Sequence, residues 1–181
     1  MNGFLSRRRF LQQSLAATAV ASPISIAFGQ SRRVDRIGLQ LYTLRNEMAQ
    51  DFEGTLERVA DLGFKEMQFA GYHGRSPAEV RRILDRLGMT SPAAHVGLGL
   101  MRDEIDRQID IAGEIGQQYI VIPSLPSDER TLNDYERHAE ALNEYGLRCR
   151  DHGMTIGYHN HSFEFELQRG KIGYDYLLYF T

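Results

Sequence analysis

The densest group of side chains capable of chemistry in this sequence is the segment YHNHSFEFE at residues 158–166. Two histidines and two glutamates follow directly after the apolar residues 154–157, which predict a buried strand. Imidazole nitrogens and carboxylate oxygens bind divalent metal ions, and the same groups act as acids and bases on polar substrates. The segment therefore predicts a metal site or a site of proton transfer.

The elements that position this segment follow a repeating pattern of short apolar strands and longer amphipathic helices. One helix has clear boundaries, because Ser76, Pro77 and Glu79 form a capping-box start and Gly88 is placed to end it. Since no hairpin turn joins consecutive strands, the strands should be parallel. We predict strands at 36–42, 65–69, 91–96, 118–122 and 155–159, with helices at 51–62, between 76 and 88, at 101–115, at 132–152 and from 174 onward.

Two architectures fit parallel strands joined by helices, namely an open doubly wound sheet and a closed (β/α)8 barrel. A nucleotide-binding doubly wound sheet would carry a glycine-rich loop after its first strand, but residues 42–46 contain no glycine. The sequence therefore favours the barrel. A complete barrel takes about 250 residues, so we expect residues 30–181 to form the N-terminal portion of a TIM barrel, an incomplete fragment with about five βα units.

In such barrels the active site lies at the carboxyl ends of the strands and in the loops that follow them. This rule selects polar residues after each predicted strand, and three of the strands end in or lead into histidine. The pattern predicts a polar pocket of a size suited to a sugar. The candidates for substrate binding are Gln40, Tyr42, Tyr72, His95 and His159.

Four motifs in order resemble the sugar phosphate isomerase/epimerase family, whose members have a xylose isomerase-like barrel. They are IGLQLYTLR at 37–45, FAGY at 69–72, AHVG at 94–97 and YHNHSFEF at 158–165. The resemblance covers essentially all of residues 36–180. It implies one bound divalent metal ion, Mn²⁺, Mg²⁺, Co²⁺ or Zn²⁺, held by Glu, Asp, His and Glu from strands five to eight.

By this resemblance, only the strand-five ligand lies in the present sequence, and the other ligands are expected beyond Thr181. Glu164 is the expected metal ligand, with His159 as the alternative because of its position at the strand end. Glu164 and His161 are the expected catalytic residues. A solvated, non-functional Glu164 and a merely structural His161 are the competing interpretations.

The function implied for the complete protein is metal-assisted proton transfer next to a carbonyl of a carbohydrate, as in an isomerase or epimerase. A lyase or dehydratase acting on a keto-sugar or keto-glycoside would use the same first step. An endonuclease IV-type phosphodiesterase shares the barrel but needs several metal ions and a basic groove. An inactive fragment or a binding module without catalysis is the alternative of another class.

Residues 1–29 predict an export signal, in which SRRRFL at 6–11 precedes a short apolar run. The arginine pair resembles the twin-arginine type, so we expect a periplasmic or exported protein that uses the twin-arginine machinery and has no stable membrane anchor. Of the 21 Lys and Arg residues, three lie in this segment, so 18 remain against 24 Asp and Glu, a net charge of −6. That charge argues against nucleic-acid binding. The oligomeric state is left open.

Three further residues fall on the long predicted helix. Cys149 is the single cysteine, so it can form no internal disulfide, and we expect it on a buried helix face. His138 and His152 are predicted to lie at the surface.

Overall fold

The computed structural model describes residues 36–181, so the predicted signal segment at 1–29 lies outside the described residues. Five parallel strands form one sheet, and their order in the sheet is their order in the sequence. All five predicted strands are present, which confirms the parallel α/β prediction. The strands are β1 (Gly38–Gln40), β2 (Glu66–Phe69), β3 (Thr90–His95), β4 (Tyr119–Ile122) and β5 (Thr155–Tyr158).

Helices connect consecutive strands, as the amphipathic pattern predicts. Two helix starts use a capping box, the predicted one at Ser76 and a second at Thr131, whose partner is Asp134. The helices are α1 (Arg45–Gln50), α2 (Phe52–Asp61), α3 (Pro77–Leu87), α4 (Leu98–Ile115), α5 (Leu132–Asp151) and α6 (Gly173–Phe180).

The hydrophobic core lies between the sheet and these helices. Successive strand residues point to opposite faces, and the buried Met67, Phe69, Ile120 and Ile122 occupy the helix-facing side. The opposite face carries smaller and more polar residues. The pairing of Gln40 with Gln68 and of Gln68 with Ala93 places polar side chains on this second face near the carboxyl ends of the strands.

Two local features differ from the prediction. The first strand ends at Gln40, and a 3₁₀ turn at Leu41–Leu44 leads into α1, so Tyr42 lies in a turn and not in a strand. A short hairpin, β6 (Leu167–Gln168) and β7 (Lys171–Ile172), precedes α6. Its turn residues Arg169 and Gly170 both have positive φ, as type I′-like hairpin turns require.

Helix α6 packs closely on α5 at Gly173. A Cβ atom at this position would overlap the ring of Tyr135, which is fully buried. Leu177, one turn further along α6, is also buried. The absence of a side chain at residue 173 therefore allows α6 to begin directly against the core.

The three predictions for α5 had different outcomes. Cys149 is buried and His152 is exposed, so those predictions are confirmed. The prediction for His138 is wrong, because its side chain is 2% exposed. Its Nε2 lies 3.0 Å from the Glu129 carbonyl oxygen and 3.6 Å from a Glu129 carboxylate oxygen, which compensates the burial of a polar ring.

Among the helices of residues 36–181, none combines the length and the apolar composition that a bilayer crossing requires.

Candidate functional site

A pocket of about 280 Å³ lies at the carboxyl ends of four of the five strands. Four of the five predicted substrate-binding residues contribute to it, together with the predicted catalytic His161. The three contributing histidines come from two different strand ends. The lining residues are Gln40, Tyr42, His95, Pro123, Ser124, His159 and His161.

Three imidazole rings stand side by side in this pocket. The ring centroids of His95 and His159 are 5.1 Å apart, and those of His159 and His161 are 4.9 Å apart, both with edge-to-face geometry. The backbone positions the central ring, since the His159 amide donates to the Ile122 carbonyl at 2.9 Å and extends the β4–β5 pairing. The pocket thus presents several groups that can donate, accept or transfer protons.

His95 is held by Gln40 from the first strand. The Gln40 amide nitrogen lies 3.3 Å from His95 Nδ1 and can only donate, so in the neutral ring the proton resides on Nε2. Burial first, and then the neighbouring His159 and His161, lower the pKa of His95 from its ordinary value. His95 Nε2 is buried and has no hydrogen-bond partner within the described residues. An oxygen atom of a ligand at this nitrogen would remove the cost of an unpaired donor.

Tyr42 forms an exposed part of the pocket rim. Its ring is 57% exposed, and the Arg45 guanidinium carbon lies 4.7 Å from the ring centroid. Arg45 also donates to the Tyr42 carbonyl at 3.1 Å, which fixes the turn after β1. An aromatic face at the rim offers a surface on which the apolar side of a sugar ring can lie.

Glu164 lies outside the pocket lining and is fully buried. Its Oε1 accepts a hydrogen bond from the Tyr158 hydroxyl at 2.5 Å, and its Oε2 accepts one from the His161 backbone amide at 2.7 Å. Burial and the hydrogen bond to Glu164 raise the pKa of Tyr158 well above its ordinary value. Both carboxylate oxygens therefore have protein partners.

Tyr72 also lies outside the pocket. Its hydroxyl donates to Gln117 Oε1 at 3.2 Å, and its ring packs against Phe69 with centroids 5.4 Å apart. Burial raises the pKa of Tyr72 to about 12. Tyr72 packs against the hydrophobic core and does not line the histidine pocket, and its predicted role in substrate binding stays a prediction.

Sequence reasoning missed a stack that borders the site. The rings of His161 and Phe163 are nearly parallel, at 14°, with centroids 5.7 Å apart. Arg130 lies on the loop before α5, and its guanidinium carbon is 3.4 Å from the Phe163 ring centroid. No local motif marks Arg130 for this role, because the contact joins two loops that are distant in the sequence.

The predicted metal site fits these residues only in part. Across residues 36–181, no three or more His, Cys, Asp or Glu side chains are placed so that they could hold a metal ion. His159 opens into the pocket, so it fits the role of a ligand. Glu164 does not fit it, because the carboxylate is buried and both of its oxygens accept hydrogen bonds.

A larger groove, of about 540 Å³, runs along β5 and α5, away from the histidines. Its walls include the apolar side chains of Leu142, Leu147 and Ile156 and the guanidinium of Arg150. Acid–base chemistry needs convergent titratable groups, so we assign the functional site to the smaller histidine pocket.

The five-stranded parallel sheet, its helices and the pocket at the carboxyl strand ends have the arrangement of part of a TIM barrel. The described fold is similar to that of a sugar phosphate isomerase/epimerase from Parabacteroides distasonis, with a TM-score of 0.68 and 23% identity over 84% of this chain. It is also similar to an AP endonuclease, family 2, from Brucella melitensis, with a TM-score of 0.59 and 17% identity over 68% of this chain.

A xylose isomerase domain protein from Alicyclobacillus acidocaldarius gives a TM-score of 0.53 at 14% identity over 68% of this chain. The chain spans 66%, 54% and 49% of the lengths of these three proteins, respectively. At these identities the similarities establish the fold. No family model matches the sequence, and no curated protein matches it.

Proposed function

We propose that the histidine pocket binds a small carbohydrate and that the protein is an isomerase or epimerase that moves a proton next to the carbonyl of this substrate. The adjacency of His95, His159 and His161 at the carboxyl ends of parallel strands carries this proposal. The motifs that resemble the sugar phosphate isomerase/epimerase family support it.

The proposed roles follow from the chemistry of each side chain. His161 acts as the general base that removes the proton from the carbon beside the carbonyl, and the electron pair moves onto the carbonyl oxygen to give an enediolate. The protonated His161 then returns this proton to the neighbouring carbon in an isomerisation, whereas an epimerisation requires a second acid that protonates the opposite face of the same carbon. His95 Nε2 donates to a substrate oxygen, and Gln40 keeps His95 in the tautomer that this hydrogen bond needs.

A divalent metal ion, Mn²⁺, Mg²⁺, Co²⁺ or Zn²⁺, remains part of the proposal for the complete site. Bound there, it would polarise the carbonyl and the neighbouring hydroxyl. His159, the alternative ligand predicted from the sequence, opens into the pocket and is the metal ligand that we propose within the described residues. We assign no chemical step to Glu164 through a metal.

Histidine ring signals in nuclear magnetic resonance spectra test the binding proposal. We expect D-xylose, D-fructose or fructose 6-phosphate to shift the ring signals of His95, His159 and His161, while the exposed His152 serves as an internal control. For a substrate, the hydrogen beside the carbonyl should also exchange with deuterium in D₂O. If none of the sugars moves the pocket signals or undergoes exchange, the carbohydrate proposal is wrong.

A phosphodiesterase is the second candidate, because the fold is also similar to that of an AP endonuclease, family 2. Without the predicted signal the net charge is −6, and this charge would repel the negatively charged backbone of a nucleic acid. A keto-sugar lyase or dehydratase would share the first proton transfer. Metal analysis distinguishes a phosphodiesterase from an isomerase, since three bound zinc ions would contradict the isomerase proposal. Product analysis distinguishes a lyase or dehydratase from an isomerase, because elimination and isomerisation give different products.

We also propose export through the twin-arginine machinery, on the sequence of residues 6–11. Replacing Arg7 and Arg8 by lysine should abolish periplasmic accumulation of a folded reporter fused behind residues 1–35, measured by fractionation. Arg32 and Arg33 lie after the predicted signal and provide the matched control. Replacing both of them by lysine should leave export unchanged. Export that survives the first double substitution would contradict the twin-arginine assignment.

A further inference from the structure

We propose that Glu164 is a positioning residue that, together with Tyr158, holds the His159–His161 segment in place, and that it does not bind metal or substrate. The inference deepens the proposed function, on which its catalytic consequence rests. Its structural part concerns only the loop that carries two of the three pocket histidines, so it can be tested without a substrate.

The carboxylate joins the two ends of this loop. Tyr158 is the last residue of β5, and its hydroxyl donates to Glu164 Oε1. The His161 amide donates to Glu164 Oε2, and the two bonds measure 2.5 Å and 2.7 Å. Between these two attachment points the chain makes the turn that carries His159 and Asn160. Glu164 therefore fixes the path of the backbone from the strand end to His161.

Burial of Glu164 makes the loss of either hydrogen bond energetically costly. Glu164 is 0% exposed, so its carboxylate has exchanged water for the protein groups that surround it. A buried carboxylate is tolerated only where such partners satisfy it. Because the carboxylate is closed off from solvent, a metal ion or a substrate could reach its oxygens only if the surrounding groups moved apart.

Tyr135 is a second buried tyrosine near the Glu164 carboxylate. Burial and the nearby carboxylate of Glu164 raise the pKa of Tyr135 to about 12, so this phenol keeps its proton. Two tyrosines thus surround the carboxylate, and Tyr158 supplies the direct hydrogen bond. Neither ring lines the histidine pocket, which places the whole group behind the site.

A second contact holds the other side of the same loop. Phe163 stacks on His161 and is itself covered by the Arg130 guanidinium. Arg130 is anchored through its Nη2, which donates to the Leu125 carbonyl at 2.7 Å. Backbone tethering by Glu164 and ring stacking by Phe163 together set the position and the plane of the His161 imidazole.

Amide hydrogen exchange tests the positioning role directly. In Glu164→Gln a neutral amide replaces the carboxylate, so the hydrogen bond from the His161 amide loses its charged acceptor and the Tyr158 hydroxyl must change from donor to acceptor to keep its contact. We expect exchange of the His161 amide to accelerate on the order of tenfold to a hundredfold. The matched control is Glu166→Gln, an exposed carboxylate on the same segment, which should leave the exchange rate unchanged.

Tyr158→Phe is the second variant, because it removes one hydroxyl and keeps the buried ring. It should accelerate exchange of the His161 amide by a smaller factor than Glu164→Gln, since the Oε2 bond to the amide remains. A folded Glu164→Gln protein whose His161 amide stays fully protected would overturn the proposal. If Glu164→Gln does not fold, unchanged protection in Tyr158→Phe would overturn it equally.

Catalysis and metal binding separate this inference from the proposed function. A positioning role predicts that Glu164→Gln lowers the turnover rate on a sugar substrate while Mn²⁺ or Zn²⁺ affinity, measured by calorimetry, changes by less than about threefold. Loss of metal affinity with an unaltered amide exchange rate would identify Glu164 as a ligand and refute the inference. Failure of all sugars to bind would refute the proposed function but leave the exchange result valid.

Discussion

Replacing His161 by glutamine is expected to lower the rate of substrate proton exchange about 10²–10⁴-fold, the range that a general acid–base residue contributes. Glutamine keeps polar atoms at comparable reach but cannot take up a proton near neutral pH. Exchange of the hydrogen beside the carbonyl in D₂O measures the step directly, before any product is released. The loss should appear in kcat, with KM changed far less, because the ring acts on the transferred proton.

The control for this prediction is His152→Gln, because His152 is exposed at the end of α5 and lies outside the pocket lining. It should leave the exchange rate unaltered. His95→Gln should behave differently from both, raising KM more than it lowers kcat, since His95 is proposed to bind a substrate oxygen. Equal exchange rates in His161→Gln and His152→Gln would remove His161 from the mechanism.

Gly173→Ala is expected to reduce the free energy of unfolding by about 1–3 kcal/mol, the usual cost of overpacking a core. The added methyl group would overlap the Tyr135 ring, which is fully buried. Gly173 does not require a positive φ, so alanine suits its backbone, and without the clash the substitution would stabilise the helix. The sign of the effect therefore reports the contact between α6 and α5.

Urea unfolding measures this effect as a lower transition midpoint at an unchanged slope. Gly99→Ala is the matched control, because Gly99 lies in α4 without a positive φ, and a methyl group added there would meet no neighbouring atom within 4 Å. That substitution should be neutral or stabilising by up to about 1 kcal/mol. In a Tyr135→Leu background the cost of Gly173→Ala should shrink, and equal costs in both backgrounds would contradict the packing argument.

Hydrophobic periodicity was sufficient to predict the five strands of the parallel sheet and the helices α2 to α6, but not α1 or the β6–β7 hairpin. The capping box at Ser76 fixed the start of α3, and the position of Gly88 fixed its end, where the residue adopts a left-handed conformation. The start of α1 could not be read in this way, because Leu41 and Tyr42 continue the apolar pattern of β1. Only their packing in three dimensions turns this stretch into a 3₁₀ turn.

The pocket was predictable for a simple reason: parallel strands bring their carboxyl ends to the same edge. This rule placed Gln40, His95 and His159 together although they are far apart in the sequence. It could not distinguish side chains that face the pocket from those that turn away. Tyr72 and Glu164 follow strand ends equally well, but burial directs both of them to partners behind the site.

His138 illustrates a second limit of periodicity. It lies on α5 beside apolar positions, but the sequence around it does not indicate whether the histidine side chain is buried or exposed. That depends on whether another residue can form a hydrogen bond with its ring. The partner is Glu129 in the preceding loop, which meets the ring only because the capping box at Thr131 sets the direction of the helix. Contacts between loops and helix faces are determined by tertiary geometry and leave little trace in local sequence.

The agreement between sheet order and sequence order has a consequence for how the site is assembled. Gln40 and His95, which are in contact, are separated by 55 residues, and His159 joins them only from the fifth strand. Contacts of such long range form slowly, because each requires the closure of a large loop. The pocket is complete only when strands from both ends of the sheet are in place, so its ability to bind a ligand reports that the whole sheet has formed.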